Sequence, residues 1–349
     1  MIGEMQFRSS GVMGVRSRIE DGASRIAVGL AIIALAVLLV APCSAQEKVR
    51  FPIGASSKTF SYGPLWLGQK LGYFEREGLD VQIVVMRGTP ITIQALATES
   101  IYVANVGTDG VIGAVDRGLD LAMVGSLLNN LSMSLVAAKP YKTFDDLRGK
   151  TIGSQTITTG TGFALRLVLR AHGLEYPRDY QILNVGGVTD RYIALQSGQI
   201  AATPLSVPLD ISAKQQGFNV LGYFADDLPN YFLNPYTVKR SWAEKNRTLV
   251  VRYMKAIVQT HRWLFDNRDA ACVYLSKEMS MTVESCRFAW EYSVKTRVWD
   301  RNADLNLDGV RTMIKIVAEI AGQKEPLALP AKYIDQSYLK QAFAELAKK

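Results

Sequence analysis

Histidine and cysteine are scarce: two and three residues in a chain of 349, with no C-x-x-C pair. A zinc site needs more imidazole or thiolate ligands than that, which excludes a multi-histidine metalloenzyme. Aromatic residues are only 9% of the chain and no tract interleaves them with basic ones. The net charge of +8 therefore describes a solvated surface with some pull on anions, and no nucleic-acid partner is expected. Long apolar runs are missing except for residues 26–41, which fall short of the ~20 residues a spanning helix needs. What is present is globular, 48% hydrophobic and 21% charged, over a length that suits about two domains.

The one apolar run follows Arg16, Arg18 and Arg25 and leads into Pro42-Cys43-Ser44-Ala45. This is the basic, apolar and small-residue order of a secretory signal. Residues 1–45 are accordingly read as a signal peptide cut after Ala45, and the protein as exported. A lipoprotein signal wants a small residue directly before its cysteine, and Pro42 stands there. Outside the cytoplasm Cys272 and Cys286 have the option of pairing. Neighbours such as Ala271, Val273, Phe288 and Ala289 favour buried thiols instead.

Beyond the leader, short branched-residue strands alternate with helical patterns. Strands are expected at 49–55, 79–86, 101–106, 119–124 and 131–138, with helices opening at Pro64, Ile91 and after Asp109. The pattern then restarts, with strands at 151–154, 181–185, 200–203 and 219–224 and helices at 161–172, 189–197 and 208–216. Residues 231–239 are extended, and everything past Ser241 is mostly helical. Such alternation signals an α/β protein, each of two units a sheet flanked by helices. The expected organisation is a first lobe of residues 46–138 and 232–349, carrying the helical tail, and a second lobe of 139–231. Ligands of open α/β sheets bind beyond the carboxyl ends of the strands, which puts a site in the cleft between the lobes.

Those strand ends are rich in hydroxyls and glycine. Ser56, Ser57, Gly88, Thr89, Thr108, Thr158, Thr159, Gly160, Thr161 and Thr189 lie in turns, several of which open helices, Ser154 lies at the end of a strand, and Ser206 lies in the segment just after the strand at 200–203. Free backbone N–H groups at a helix start, its partial positive charge and nearby hydroxyls together suit a carboxylate or sulfonate. The same residues also suit plain helix N-caps. Arg87 has the fork for an anionic head group, or for an ordinary salt bridge. Phe60 and Tyr62 are placed to line an apolar part of a ligand, and Asp109 either caps a helix or meets an amino group. His172 and His261 lack triad-like partners, so no enzyme activity, metal or cofactor is expected.

The block Pro64-Leu65-Trp66-Leu67-Gly68-Gln69-Lys70-Leu71-Gly72-Tyr73-Phe74-Glu75-Arg76-Glu77-Gly78-Leu79-Asp80-Val81 resembles the opening of the nitrate/sulfonate/taurine and thiamine-precursor (NMT1/THI5-like) group of ABC-transporter substrate-binding proteins. Gln94-Ala95-Leu96, 145–153 and 194–202 continue the likeness in the same order, and 250–265 is similar to the group's first tail helix. The resemblance implies a two-lobed periplasmic binding protein fold, type II-like. It also implies capture of a small anionic or zwitterionic organic solute, and a membrane permease as partner to a monomeric protein. An exported enzyme or thiamine-precursor-related protein, or a solute sensor, remain alternatives on the same scaffold. One departure is Thr203-Pro204-Leu205-Ser206-Val207-Pro208-Leu209, where the group often has aromatic and acidic residues around the proline.

Overall fold

A computed structural model describes residues 48–86, 88–158 and 160–348. The expected signal peptide, along with Arg87 and Thr159, lies outside the described residues. Two five-stranded sheets organise the rest. The first contains β1 (Val49–Ala55), β2 (Leu79–Val85), β3 (Val103–Asn105) and β4 (Leu121–Leu128). The second contains β5 (Met133–Ala137), β6 (Thr151–Ser154), β7 (Gln181–Asn184), β8 (Ala202–Ser206) and β9 (Asn219–Tyr223). The chain then returns, and β10 (Asn234–Lys239) joins the first sheet.

Strand order is β2-β1-β3-β10-β4 in one sheet and β7-β6-β8-β5-β9 in the other. Three neighbouring strands of each run parallel, and one inner strand runs against them: β10 between β3 and β4, β5 between β8 and β9. Both antiparallel strands directly follow a crossing from the other sheet. The strand expected at 131–138 in the first lobe is therefore corrected. It pairs with β8 from Met133↔Ser206 to Ala137↔Ala202, so the chain crosses over at 129–132. Its apolar sequence marks a buried strand but carries no record of which distant strand it pairs with.

Helices cover both sheets. α1 (Gly63–Lys70), α2 (Thr89–Ala97) and α3 (Thr108–Asp116) follow strands of the first. α4 (Thr161–Ala171), α5 (Val188–Gln196) and α6 (Leu209–Gln215) follow strands of the second. Pro64 sits in the first turn of α1, where its missing N–H has no helical partner to lose. The tail supplies α7 (Arg247–Asp266), α8 (Arg268–Glu278), α9 (Val283–Lys295), α10 (Leu307–Ile320) and α11 (Ser337–Leu346).

Val250, Met254, Ile257, Val258 and His261 recur at helical spacing along α7 and are buried. This stripe packs on the first sheet: the Tyr253 ring stacks on Phe51 of β1 at 5.3 Å and on Phe74 at 5.5 Å. Backbone bonds fasten the tail further, from Ser126 N–H to Ala303 O at 2.8 Å and from Asn129 N–H to Val298 O at 2.7 Å. Cys272 on α8 and Cys286 on α9 are buried and free. No helix among the described residues is long and apolar enough to cross a membrane.

Candidate functional site

Where the carboxyl ends of the parallel strands of the two sheets face each other, the loops enclose a cavity of about 50 Å³. On the first-sheet side it is lined by Ser56, Ser57, Thr59, Ser61 and Tyr62 after β1, by Thr89 at the start of α2, and by Gly107 after β3. The second-sheet side supplies Gln155, Thr156, Gly160 and Thr161 after β6, Val188 and Arg191 of α5, and Ser206 of β8. Residues of the two crossings, among them Ser132 and Asn234, close the floor. A water needs about 10–15 Å³ on this measure, so the space holds about four waters or one small polar group.

The hydroxyls are already ordered. Ser56 Oγ and Tyr62 Oη lie 2.8 Å apart, and Ser61 Oγ and Ser132 Oγ 2.6 Å apart. Burial pushes the Tyr62 phenol up to about 12, so it stays protonated as a hydrogen-bond partner. Two bonds cross between the halves at the rim. Gln155 Nε2 donates to Ser56 O at 2.8 Å, and the Gly160 amide donates to Asp109 Oδ2 at 2.8 Å. Gly160 has φ +54°, a left-handed conformation that favours glycine. A Cβ on Gly107 would collide with Asp109 Oδ1 and stand 3.0 Å from Gly160 Cα, so the two backbones approach closely beside the Asp109 carboxylate.

Among the described residues the only charge lining the cavity is Arg191, in the first turn of α5 and 4% exposed. Helical side chains lean toward the N-terminus, and this one passes the helix end to reach the cleft. Its Nε and Nη2 donate to Pro204 O at 3.3 and 3.1 Å, and its Nη1 donates to Gly186 O at 2.9 Å. Among the described residues no carboxylate lies within ion-pair distance of it, and no acidic side chain lines the cavity. Burial draws the guanidinium down to about 10, so it still carries its charge at neutral pH. A buried, hydrogen-bonded cation of this kind has the chemistry to hold an anion.

The structure brings together Ser56, Ser57, Tyr62, Thr89, Gly160, Thr161 and Ser206 on this cavity. Phe60 and Thr189 line an adjoining chamber that shares Ser206 with it. Gly88 lies at the rim, where a Cβ would meet Thr156 Cγ2 at 3.1 Å. Thr108, Asp109, Ser154 and Thr158 stand apart from the cavity. Thr108 Oγ1 donates to Leu233 O at 3.2 Å, and Ser154 Oγ is buried without a partner among the described residues. Asp109 and Thr158 line a separate hollow toward α10.

Asp109 spends one carboxylate oxygen on the Gly160 amide. Of the two histidines, His172 pairs with Asp227 at 3.0 Å, and buried His261 bonds Asp300 O at 2.7 Å. The sequence reading missed Arg191. The signal was available: it precedes Ala194 and Leu195 by three and four residues, which sets a cation on the buried stripe of a helix.

The family model described as NMT1/THI5 like matches residues 59–271. YtlA of Bacillus subtilis (strain 168), provisionally named a binding protein, is 24% identical over 234 residues, spanning 64% of this chain and 69% of that protein. Further curated relatives are matched over 48% to 60% of their own length. Among solved structures, the periplasmic nitrate-binding protein NrtA from Synechocystis PCC 6803 superposes with TM-score 0.72 at 13% identity, covering 88% of this chain and 91% of that one. The periplasmic aliphatic sulphonate binding protein SsuA from Escherichia coli gives 0.61 at 19%, covering 83% and 99%. At such identities the likeness is one of fold, and the fold is that of periplasmic binding proteins.

Proposed function

The chain belongs to the NMT1/THI5-like family, and we propose that it is the exported solute-binding component of an ABC importer for a small organic anion. The observation that carries this reading is Arg191, a buried cation that has, among the described residues, no carboxylate partner and no acidic side chain beside it on the cavity. An anion entering there gains a charge-assisted bond from a group whose desolvation is already complete. Hydroxyls and amides of both halves then surround it, so the ligand favours the form in which the halves meet. Export to the periplasm and delivery to a membrane permease are part of the same proposal, supported by the fold the chain shares with periplasmic binding proteins.

The test is titration calorimetry of the purified protein with nitrate, short carboxylates and short sulfonates at neutral pH. Saturable one-to-one binding of at least one anion is expected, with the compound recovered unchanged. Arg191→Met is expected to weaken that binding at least a hundredfold while circular dichroism stays native. Chemical conversion of the bound compound, or binding indifferent to Arg191→Met, overturns the reading.

A further inference from the structure

The seat at Arg191 is not closed at its outer side. Thr59, Val188 and Ser206 line both it and a second chamber of about 240 Å³, which is about fivefold larger than the first. Phe60, Val207, Pro208, Leu209 and Met279 give that chamber apolar walls. Its one charged lining residue, Lys58, is paired with Glu278 at 2.6 Å. A nitrate ion on Arg191 leaves this second space unused, and a zwitterion brings an ammonium group to a cavity with no carboxylate to meet it.

The guanidinium itself narrows the choice of head group. Of its five N–H bonds, the one on Nε and one on Nη2 go to Pro204 O, and one on Nη1 goes to Gly186 O. One hydrogen therefore remains on each terminal nitrogen, two donors for the two oxygens of a planar carboxylate. A sulfonate presents a third oxygen out of that plane, and among the described residues the lining holds no second cation for it. Among the described residues a single positive charge lines the seat, which suits a monoanion.

Resting on the reading of the cleft as an anion seat, we propose that the solute is a monocarboxylate with an apolar tail. Its carboxylate sits on Arg191 and its tail lies in the chamber walled by Phe60, Val207, Leu209 and Met279.

The experiment is calorimetric titration of the purified protein at pH 7.5 with acetate, butyrate, hexanoate, hexanesulfonate and nitrate. Affinity should rise about fourfold for each added methylene of the carboxylates, the worth of burying one such group. Hexanoate should bind at least tenfold tighter than hexanesulfonate. Arg191→Lys, which keeps the charge and loses the fork, should shrink that carboxylate-to-sulfonate ratio at least tenfold. Leu209→Asp, on the chamber wall, should flatten the rise with chain length.

Hexanesulfonate binding as tightly as hexanoate, a flat chain-length series, or an unaltered series in Leu209→Asp overturns the monocarboxylate assignment and leaves the anion seat standing. Binding of none of the five anions overturns both.

Discussion

The Gly160 amide donates to Asp109 Oδ2 at 2.8 Å, and this one bond ties the loop opening α4 of the second sheet to α3 of the first. Asp109 is 5% exposed, and its carboxyl is pushed up to about 6, chiefly by burial and against the pull of the Gly160 amide. Parting the halves would admit water to the carboxylate and return it toward the ordinary range near 3.8. The form with the halves together then holds the proton more tightly, so its formation is favoured as pH falls toward and below 6.

Anion affinity should therefore rise about fourfold between pH 7.5 and 5.5, on the linkage of a carboxyl near 6. Asp109→Asn should abolish that rise. Calorimetry at the two pH values decides it; an affinity that falls on acidification sinks the linkage.

Gly160→Ala tests the close approach itself. At φ +54° an alanine is strained, and its Cβ would press on Thr89 Oγ1 at 3.3 Å. A residue held in such a conformation costs about 1–3 kcal/mol. The expected outcome is a lower melting temperature together with anion affinity reduced at least fivefold. Unchanged affinity would mean that the two backbones need not meet for binding.

Much of the architecture was legible because it is local. Strand–turn–helix alternation, Pro64 in a first turn and the apolar stripe of α7 are all patterns within a few residues. The site was legible where it depends on strand ends, since the loops after β1 and β6 are where hydroxyl-rich segments such as Ser56-Ser57 and Gly160-Thr161 fall. What escaped depends on distant partners. The placement of β5 is decided by backbone pairing with β8 and β9, about 70 to 90 residues away in the chain. Arg191 escaped because a helical arginine looks like a surface residue until the Pro204 and Gly186 carbonyls are seen around it.

His261 predicts an acid weakness of the fold. It is fully buried in α7, its Nδ1–H donating to Asp300 O at 2.7 Å and its Nε2 accepting from Tyr236 Oη at 3.3 Å. Burial holds it down at about 4, against 6.5 for a free imidazole. The unfolded chain thus takes up this proton first, and the stabilisation present above pH 6.5 is lost as pH falls toward 4. Asp109 and Asp210, both pushed up to about 6, act in the opposite direction over the same interval. Urea titrations at pH 7.5 and 4.5 should show the wild type losing about 2–3 kcal/mol more than His261→Gln over that interval. Equal losses in the two proteins would refute the assignment.

Lys255 of α7 pairs with Glu77 at 2.8 Å and with Glu345 of α11 at 3.3 Å, so one ammonium joins three parts of the chain. The Lys255 and Glu77 side chains are both nearly buried, at 9% and 6% exposure. Lys255→Met removes a charge-assisted bond from a buried carboxylate, a change that costs about 1.5–3 kcal/mol. The double variant Lys255→Met with Glu77→Leu should recover most of that loss. Equilibrium urea unfolding of the three proteins measures it, and a single variant as stable as the parent would show the pair to be incidental.

The return of β10 makes the first half a hostage of the chain beyond the second. The second sheet is built from one continuous stretch, β5 to β9, whereas the first takes its inner strand β10 from past that stretch. Severing the polypeptide at either crossing would therefore leave the second sheet with all its strands and rob the first of the row between β3 and β4. Whichever crossing is cut, the two fragments would have to find one another to complete that sheet.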